Sequence, residues 1–160
     1  MNRFMTEEQK ERYKRHIVLD GVGAEGQERL LSASVLIVGA GGLGSPIALY
    51  LAASGIGRIG IIDADNVDIS NLQRQVIHFS DDRGKSKVES AKEKMTAINP
   101  DITIDAINGL FNEANAEELI KNYDFIVDAT DNFAAKFLIN DVCVALGKPF
   151  SHGSLLRFGG

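Results

Sequence analysis

The chain has 160 residues, with 17 basic and 22 acidic side chains and a net charge of −5. That length suits one domain with one sizeable core, burying roughly two thirds of the surface its unfolded form exposes. The acidic balance argues against a domain whose main work is gripping nucleic-acid phosphate, so any anion must be captured locally. The lone cysteine, Cys143, can form neither an internal disulfide nor a cysteine cage for zinc, which fits a reducing compartment. There is no apolar run of roughly 18 residues, and the first residues are charged, so neither a membrane span nor a signal peptide is expected. A soluble cytoplasmic protein follows as the expectation.

In chain order, TEEQKERYKRHI, capped by Thr6, reads as one short polar helix. Gly21 to Gly26 break it, and EGQERLLSA makes a second. VLIVGA is then a continuous β-branched run, as a central parallel strand buried on both faces should be. GGLGSPIALYLAASGIG opens a helix with Leu43, Ile47 and Leu51 at helical spacing, ended by Gly55 and Gly57. RIGIID is the second strand, which completes a βαβ unit over 34–63.

After a polar loop, KSKVESAKEKMTAIN is an amphipathic helix stopped at Asn99 and Pro100. ITIDAIN alternates as a strand, NEANAEELIKN is helical, DFIVDAT is a buried strand, NFAAKFLINDVCVALG a helix, and KPFSHGSL starts a last strand. The alternation predicts an α/β fold, a doubly wound, mostly parallel Rossmann-like sheet with helices on both faces. No repeat or linker divides it, so 1–160 is read as one domain.

Four constellations carry chemistry. Gly39, Gly41, Gly42 and Gly44 form GxGxxG between a strand and a helix, a place where backbone amides approach a phosphate at the positive end of the helix. Taken alone the pattern is weak, since a tight turn and close packing also call for glycines, but the strand before it and the helix after it favour nucleotide binding. Asp63 ends the second strand, where an acid accepts hydrogen bonds from ribose hydroxyls of NAD and ATP alike. The third constellation chooses between them. Asn71, Arg74 and Gln75 are phosphate-facing types, Lys87 adds a cation at a helix start, and Arg15 is a third cation, together making an electrostatic clamp for a triphosphate.

The fourth is Asp128 to Asn132, where Asp131 is placed to hold Mg²⁺ or, alternatively, to cap the next helix. GKS at 84–86 lacks the first glycine of a P-loop, since Phe79 stands there. His16, His78 and His152 lack ligand spacing, and Cys143 reads as a buried structural thiol.

The order RYKRHI, GAGGLGS, DADNVDISNLQRQ, GKSKVESA, DATDN resembles the ThiF/MoeB/HesA family, bacterial relatives of ubiquitin-activating enzymes, along essentially the whole chain. That resemblance implies an ATP-dependent adenylyltransferase acting with Mg²⁺ on the C-terminal glycine of a ubiquitin-like sulfur carrier of the ThiS or MoaD type. By matching position, Gly42 lies by the phosphates and Asp63 at the ribose, with Asp65 in the nucleotide-binding set. Ser70, Asn71, Leu72, Gln73 and Arg74 line the pocket. Arg74 and Lys87 face phosphate, Asp131 supports the metal, Asn132 borders the site, and Arg15 reaches the partner's triphosphate across a homodimer. The family usually continues into a part whose CxxC pairs bind Zn²⁺. A stop at Leu156 to Gly160 is expected to fall in mid-strand, before that part. An NAD-dependent oxidoreductase domain and a non-catalytic scaffold subunit are the alternatives.

Overall fold

The computed structural model describes residues 5–155, so the expected strand interruption at Leu156 to Gly160 lies outside the described residues. Five strands, β1 (Ser34–Val38), β2 (Arg58–Asp63), β3 (Thr103–Asn108), β4 (Phe125–Asp128) and β5 (Phe150–His152), form one sheet in the order β3-β2-β1-β4-β5. Every pairing is parallel. Helices α4 (Gly44–Ser54) and α5 (Lys87–Ile98) cover one face, where Ala48, Ala52, Val88, Ala91 and Met95 pack on Val35, Ile37, Ile59 and Ile61. The other face carries α6 (Ala116–Lys121) and α7 (Phe133–Leu146), through Ile120, Ile139 and Cys143 against Leu36, Ile62 and Ile126. Burial on both faces explains why β1, β2 and β4 read as unbroken apolar runs. Among the described residues no helix is long and apolar enough to cross a membrane.

The N-terminal segment departs from the single helix expected. It is α1 (Glu7–Arg12) and α2 (Lys14–Ile17), broken at Tyr13, which lies outside helical geometry at ψ 12°. The break lets the ring of Tyr13 sink against Gly55, where an added Cβ would come within 2.5 Å of it, while Asn99 Nδ2 donates to the Tyr13 hydroxyl at 2.8 Å. Helix α3 (Gly23–Ser32) also starts earlier than expected, at Gly23 and not Glu25, because the chain turns at Gly21 and Gly23. Helix α6 starts later than expected, since Asn112 and Asn115 use their side chains to cap local turns.

The strand order reverses between β1 and β4. Chain segments leaving their carboxyl ends diverge there, opening the crevice in which doubly wound sheets hold ligands.

Candidate functional site

The crevice brings together the sequence-distant motifs at the ends of β1, β2 and β4. Val38 is in register with both Ile62 and Asp128, so the glycine loop, Asp63 and the 128–132 turn are neighbours. The four glycines divide by cause. Gly39 has φ +104°, and a Cβ there would lie 2.8 Å from Ala129 O; one on Gly44 would clash with Gly39 O. Those two are required by packing between strand, loop and helix. A Cβ on Gly41 or Gly42 would meet only the side chains of Gln75 and Arg74, at 3.7 and 3.5 Å. The fold does not demand their bareness. It leaves a half-buried shelf of bare backbone beneath Arg74, at the N-terminus of α4, where amide donors and the helix dipole favour an anion.

Asp63 has two structural duties. Its Oδ2 accepts the Ala40 N–H and its Oδ1 the Asp65 N–H, each at 2.8 Å, so the acid that faces the crevice also ties the glycine loop to β2. A carboxylate has lone pairs to spare for a sugar hydroxyl. Lys87, the first residue of α5, is buried, and its Nζ lies 2.7 Å from Asp65 Oδ2. The long loop between them is closed by backbone pairing, with Lys87 N donating to Asp65 O and Val67 N to Lys85 O.

Within that loop a single 3-10 turn (Ile69–Asn71) is boxed by its own polar side chains. Ser70 N donates to Asp68 Oδ1, and Asp68 N donates to Asn71 Oδ1. The turn lifts Ser70 and Gln73 to the surface and leaves Leu72 half-buried. Arg74 is exposed, with Nη1 donating to Ser70 O at 3.2 Å and its stem over Gly42. Gln75 departs from the reading that groups it with the phosphate-facing side chains. It is only 4% exposed, turned inward beside Gly41, and its Oε1 has no hydrogen-bond partner among the described residues.

The 128–132 turn separates two acids that look alike in sequence. Asp128 is buried and fully engaged, with Thr130 N and Oγ1 donating to Oδ1 at 3.0 and 2.7 Å and His152 Nδ1 lying 2.7 Å from Oδ2. Lys136 Nζ approaches both oxygens. Burial pushes its carboxyl up, but the hydrogen bonds from Thr130 and His152 and the Lys136 charge more than offset this and hold it below its ordinary value. Asp131 is exposed, and the cap of α7 is Asn132, whose Oδ1 accepts the Ala135 N–H at 2.9 Å. The capping alternative for Asp131 therefore belongs to its neighbour, which leaves the exposed Asp131 carboxylate without that duty.

Arg15 is not brought to this place. It lies on α2, exposed, two residues after Tyr13, which packs at the C-terminal end of α4. The glycine loop is at the other end of that 11-residue helix, roughly 16 Å away along its axis. Arg15 and Arg74 of one chain do not converge.

Sequence reasoning missed the groups behind the crevice. His78 is buried between Ala40 O (3.0 Å from Nε2) and Ser90 Oγ (2.9 Å from Nδ1). Burial pushes its pKa down, and the nearby Lys87 charge adds to this. Asp82 is also buried and receives Lys94, Lys85 and the Phe79 N–H. Neither has a periodic signal, because partners 12 residues apart in an irregular loop and a helix leave no pattern. The His152–Asp128 contact was traceable in principle, since the two are paired across β4 and β5. Cys143 is buried as expected, and burial pushes its thiol up, away from reactivity.

Known proteins are similar to this chain in sequence and fold. The ThiF family profile matches residues 13–160. A probable adenylyltransferase/sulfurtransferase MoeZ of Mycobacterium tuberculosis is 51% identical over 98% of this chain and 40% of its own length. A sulfur carrier protein adenylyltransferase of Thermus thermophilus is 45% identical over 97% of this chain and 57% of its own. The chain thus spans about half the length of such relatives. The crystal structure of E. coli tRNA N6-threonylcarbamoyladenosine dehydratase, TcdA, in complex with ATP superposes with a TM-score of 0.86 at 27% identity, over 92% of this chain and 60% of that one. With its parallel sheet, its glycine loop and a family match over nearly all its length, the chain belongs to the ThiF family.

Proposed function

We propose that this chain is the ATP-binding adenylation portion of an enzyme that activates the C-terminal glycine carboxylate of a ubiquitin-like sulfur carrier, in thiamin or molybdopterin cofactor biosynthesis. The carboxylate attacks the α-phosphorus of ATP, the bond to the β-phosphate oxygen breaks, and acyl-adenylate and pyrophosphate result. The observation that carries the reading is the bare shelf of Gly41 and Gly42 beneath Arg74, which packing within the chain does not require. The names of relatives at 51% and 45% identity support the same chemistry.

A carboxylate is already a nucleophile at neutral pH, so no general base is needed. The barrier is anion meeting anion with a charged leaving group, and positioned donors and cations lower it. In this reading Arg74 and the glycine amides bind phosphate, Asp63 the ribose, and Ser70, Asn71, Leu72 and Gln73 the rest of the nucleotide, with Asn132 at the border. Lys87 reaches phosphate by exchanging its contact with Asp65. Bound Mg²⁺ would neutralise phosphate charge, and Asp131, exposed and free of capping duty, suits a metal that takes one or two carboxylates and keeps its waters. Because Arg15 lies at the far end of α4, it serves a second copy's site in a homodimer, within a reducing cytoplasm.

An oxidoreductase reading gains nothing from the relatives and leaves Arg74 and Lys87 without a task. A scaffold has no need of Arg15, Asp63, Arg74, Lys87 and Asp131 together. The test is ATP–pyrophosphate exchange by the full-length protein with ThiS- and MoaD-type carriers, intact and lacking the terminal diglycine. Exchange that depends on the diglycine is expected with one of them. Absence of exchange with every intact carrier would contradict the proposal.

A further inference from the structure

We propose that His78 is a positioning residue that aims the Gly41 N–H at a nucleotide phosphate by holding the Ala40 carbonyl from behind. This rests on the ATP reading above and goes beyond it, because His78 itself never meets the nucleotide. A carbonyl oxygen only accepts, so the Nε2 atom, 3.0 Å from Ala40 O, carries the proton. The other ring nitrogen, Nδ1, lies 2.9 Å from Ser90 Oγ. Ser90 is on α5, in the turn after Lys87, so the imidazole is a strut between the helix that bears Lys87 and the glycine loop.

The strut controls one peptide plane. In a trans peptide the C=O and the following N–H point in opposite directions, so fixing Ala40 O fixes the direction of the Gly41 N–H. The preceding N–H, that of Ala40, is held by Asp63 Oδ2 at 2.8 Å, and the next carbonyl, that of Gly41, accepts from Ser45 N and Ser45 Oγ at 2.9 and 2.7 Å. The peptide between these anchors is secured by His78. Among the described residues, the Gly41 N–H itself has no backbone acceptor. Its direction is set while its hydrogen bond is left for a ligand, as a preorganised anion donor requires.

Two substitutions separate this role from simple packing. In His78→Gln the amide nitrogen takes the place of Nε2 and still donates to Ala40 O. In His78→Asn the side chain is too short for that and keeps only the Ser90 end. MgATP titrations should find His78→Asn binding about tenfold more weakly than wild type and His78→Gln within about threefold of it, with melting temperatures lowered alike. A readout on the wild-type chain needs no variant: the Gly41 amide proton should move downfield at MgATP saturation, with the His78 ring in its Nε2–H tautomer in nitrogen-15 spectra. Equal ATP affinity in the two variants, wild-type affinity in His78→Asn, or an unmoved Gly41 amide would overturn the inference while leaving the ATP reading intact. A wild-type chain that binds no MgATP would overturn both.

Discussion

Replacing Arg74 by alanine is expected to lower adenylation by about 100-fold or more while leaving the melting temperature nearly unchanged, which is the loss typical of removing one preorganised electrostatic donor. The dissociation of rate from stability follows from its surroundings. Arg74 is exposed, and its one side-chain hydrogen bond among the described residues is to the carbonyl of Ser70, one helical turn back. Nothing in the core depends on it. Its stem lies over the bare backbone at Gly42, and in the proposed reaction its guanidinium meets the charge that accumulates as pyrophosphate departs. Arg74→Lys should recover only part of the rate, since an ammonium lacks the planar fork that meets two phosphate oxygens at once. Pyrophosphate exchange measures both variants, and wild-type exchange in Arg74→Ala would remove Arg74 from the machinery.

Asp82→Ala, by contrast, should act on stability, costing about 3 kcal/mol, because it takes the buried carboxylate away from a nearly buried ammonium that keeps only Glu93 at 3.5 Å and the Phe79 ring. Lys94 has 13% of its side chain exposed, and Asp82 has 3%. The Asp82 carboxylate also receives the Phe79 N–H at 2.8 Å and Lys85 at 3.2 Å, so it pins the loop that carries Arg74 to helix α5. Burial alone raises its pKa, but the bonds from Lys94 and the Phe79 amide, then Ser90 and Lys85, reverse the sign and hold it far below its ordinary value of 3.8. A lowered folded-state pKa means that the contribution is fully present above that ordinary value and is lost as pH falls toward the folded one. Urea titrations across the acid range should therefore show the wild type losing stability below about pH 4 more steeply than Asp82→Ala. Parallel curves for the two proteins would contradict this.

Much of the frame was legible because it rests on local patterns. The runs at 35–38, 59–62 and 125–127 are buried on both faces by helices, and such burial writes an unbroken apolar string. Caps at Gly55 and Gly147 are left-handed and mark their helices' ends plainly. What stayed hidden depended on tertiary contacts. Tyr13 breaks the first helix only because Gly55 and Asn99 await it on distant elements. Gln75 looks like Asn71 and Arg74 in sequence but turns inward, and Asp128 looks like Asp131 but is consumed by Thr130, Lys136 and His152. Residue type places a carboxylate near a strand end; only the sheet register decides which one remains open to a ligand.

The most direct measurement is calorimetric titration of MgATP and of NAD into the wild-type chain and Gly42→Ala. Binding of MgATP but not NAD is expected in the wild type. Gly42→Ala should bind MgATP about tenfold more weakly at an unchanged melting temperature, because its added methyl would occupy the shelf without clashing with the fold. Tight binding of NAD with none of MgATP would contradict the nucleotide assignment, and undiminished MgATP binding by Gly42→Ala would show that the phosphates do not lie on this loop.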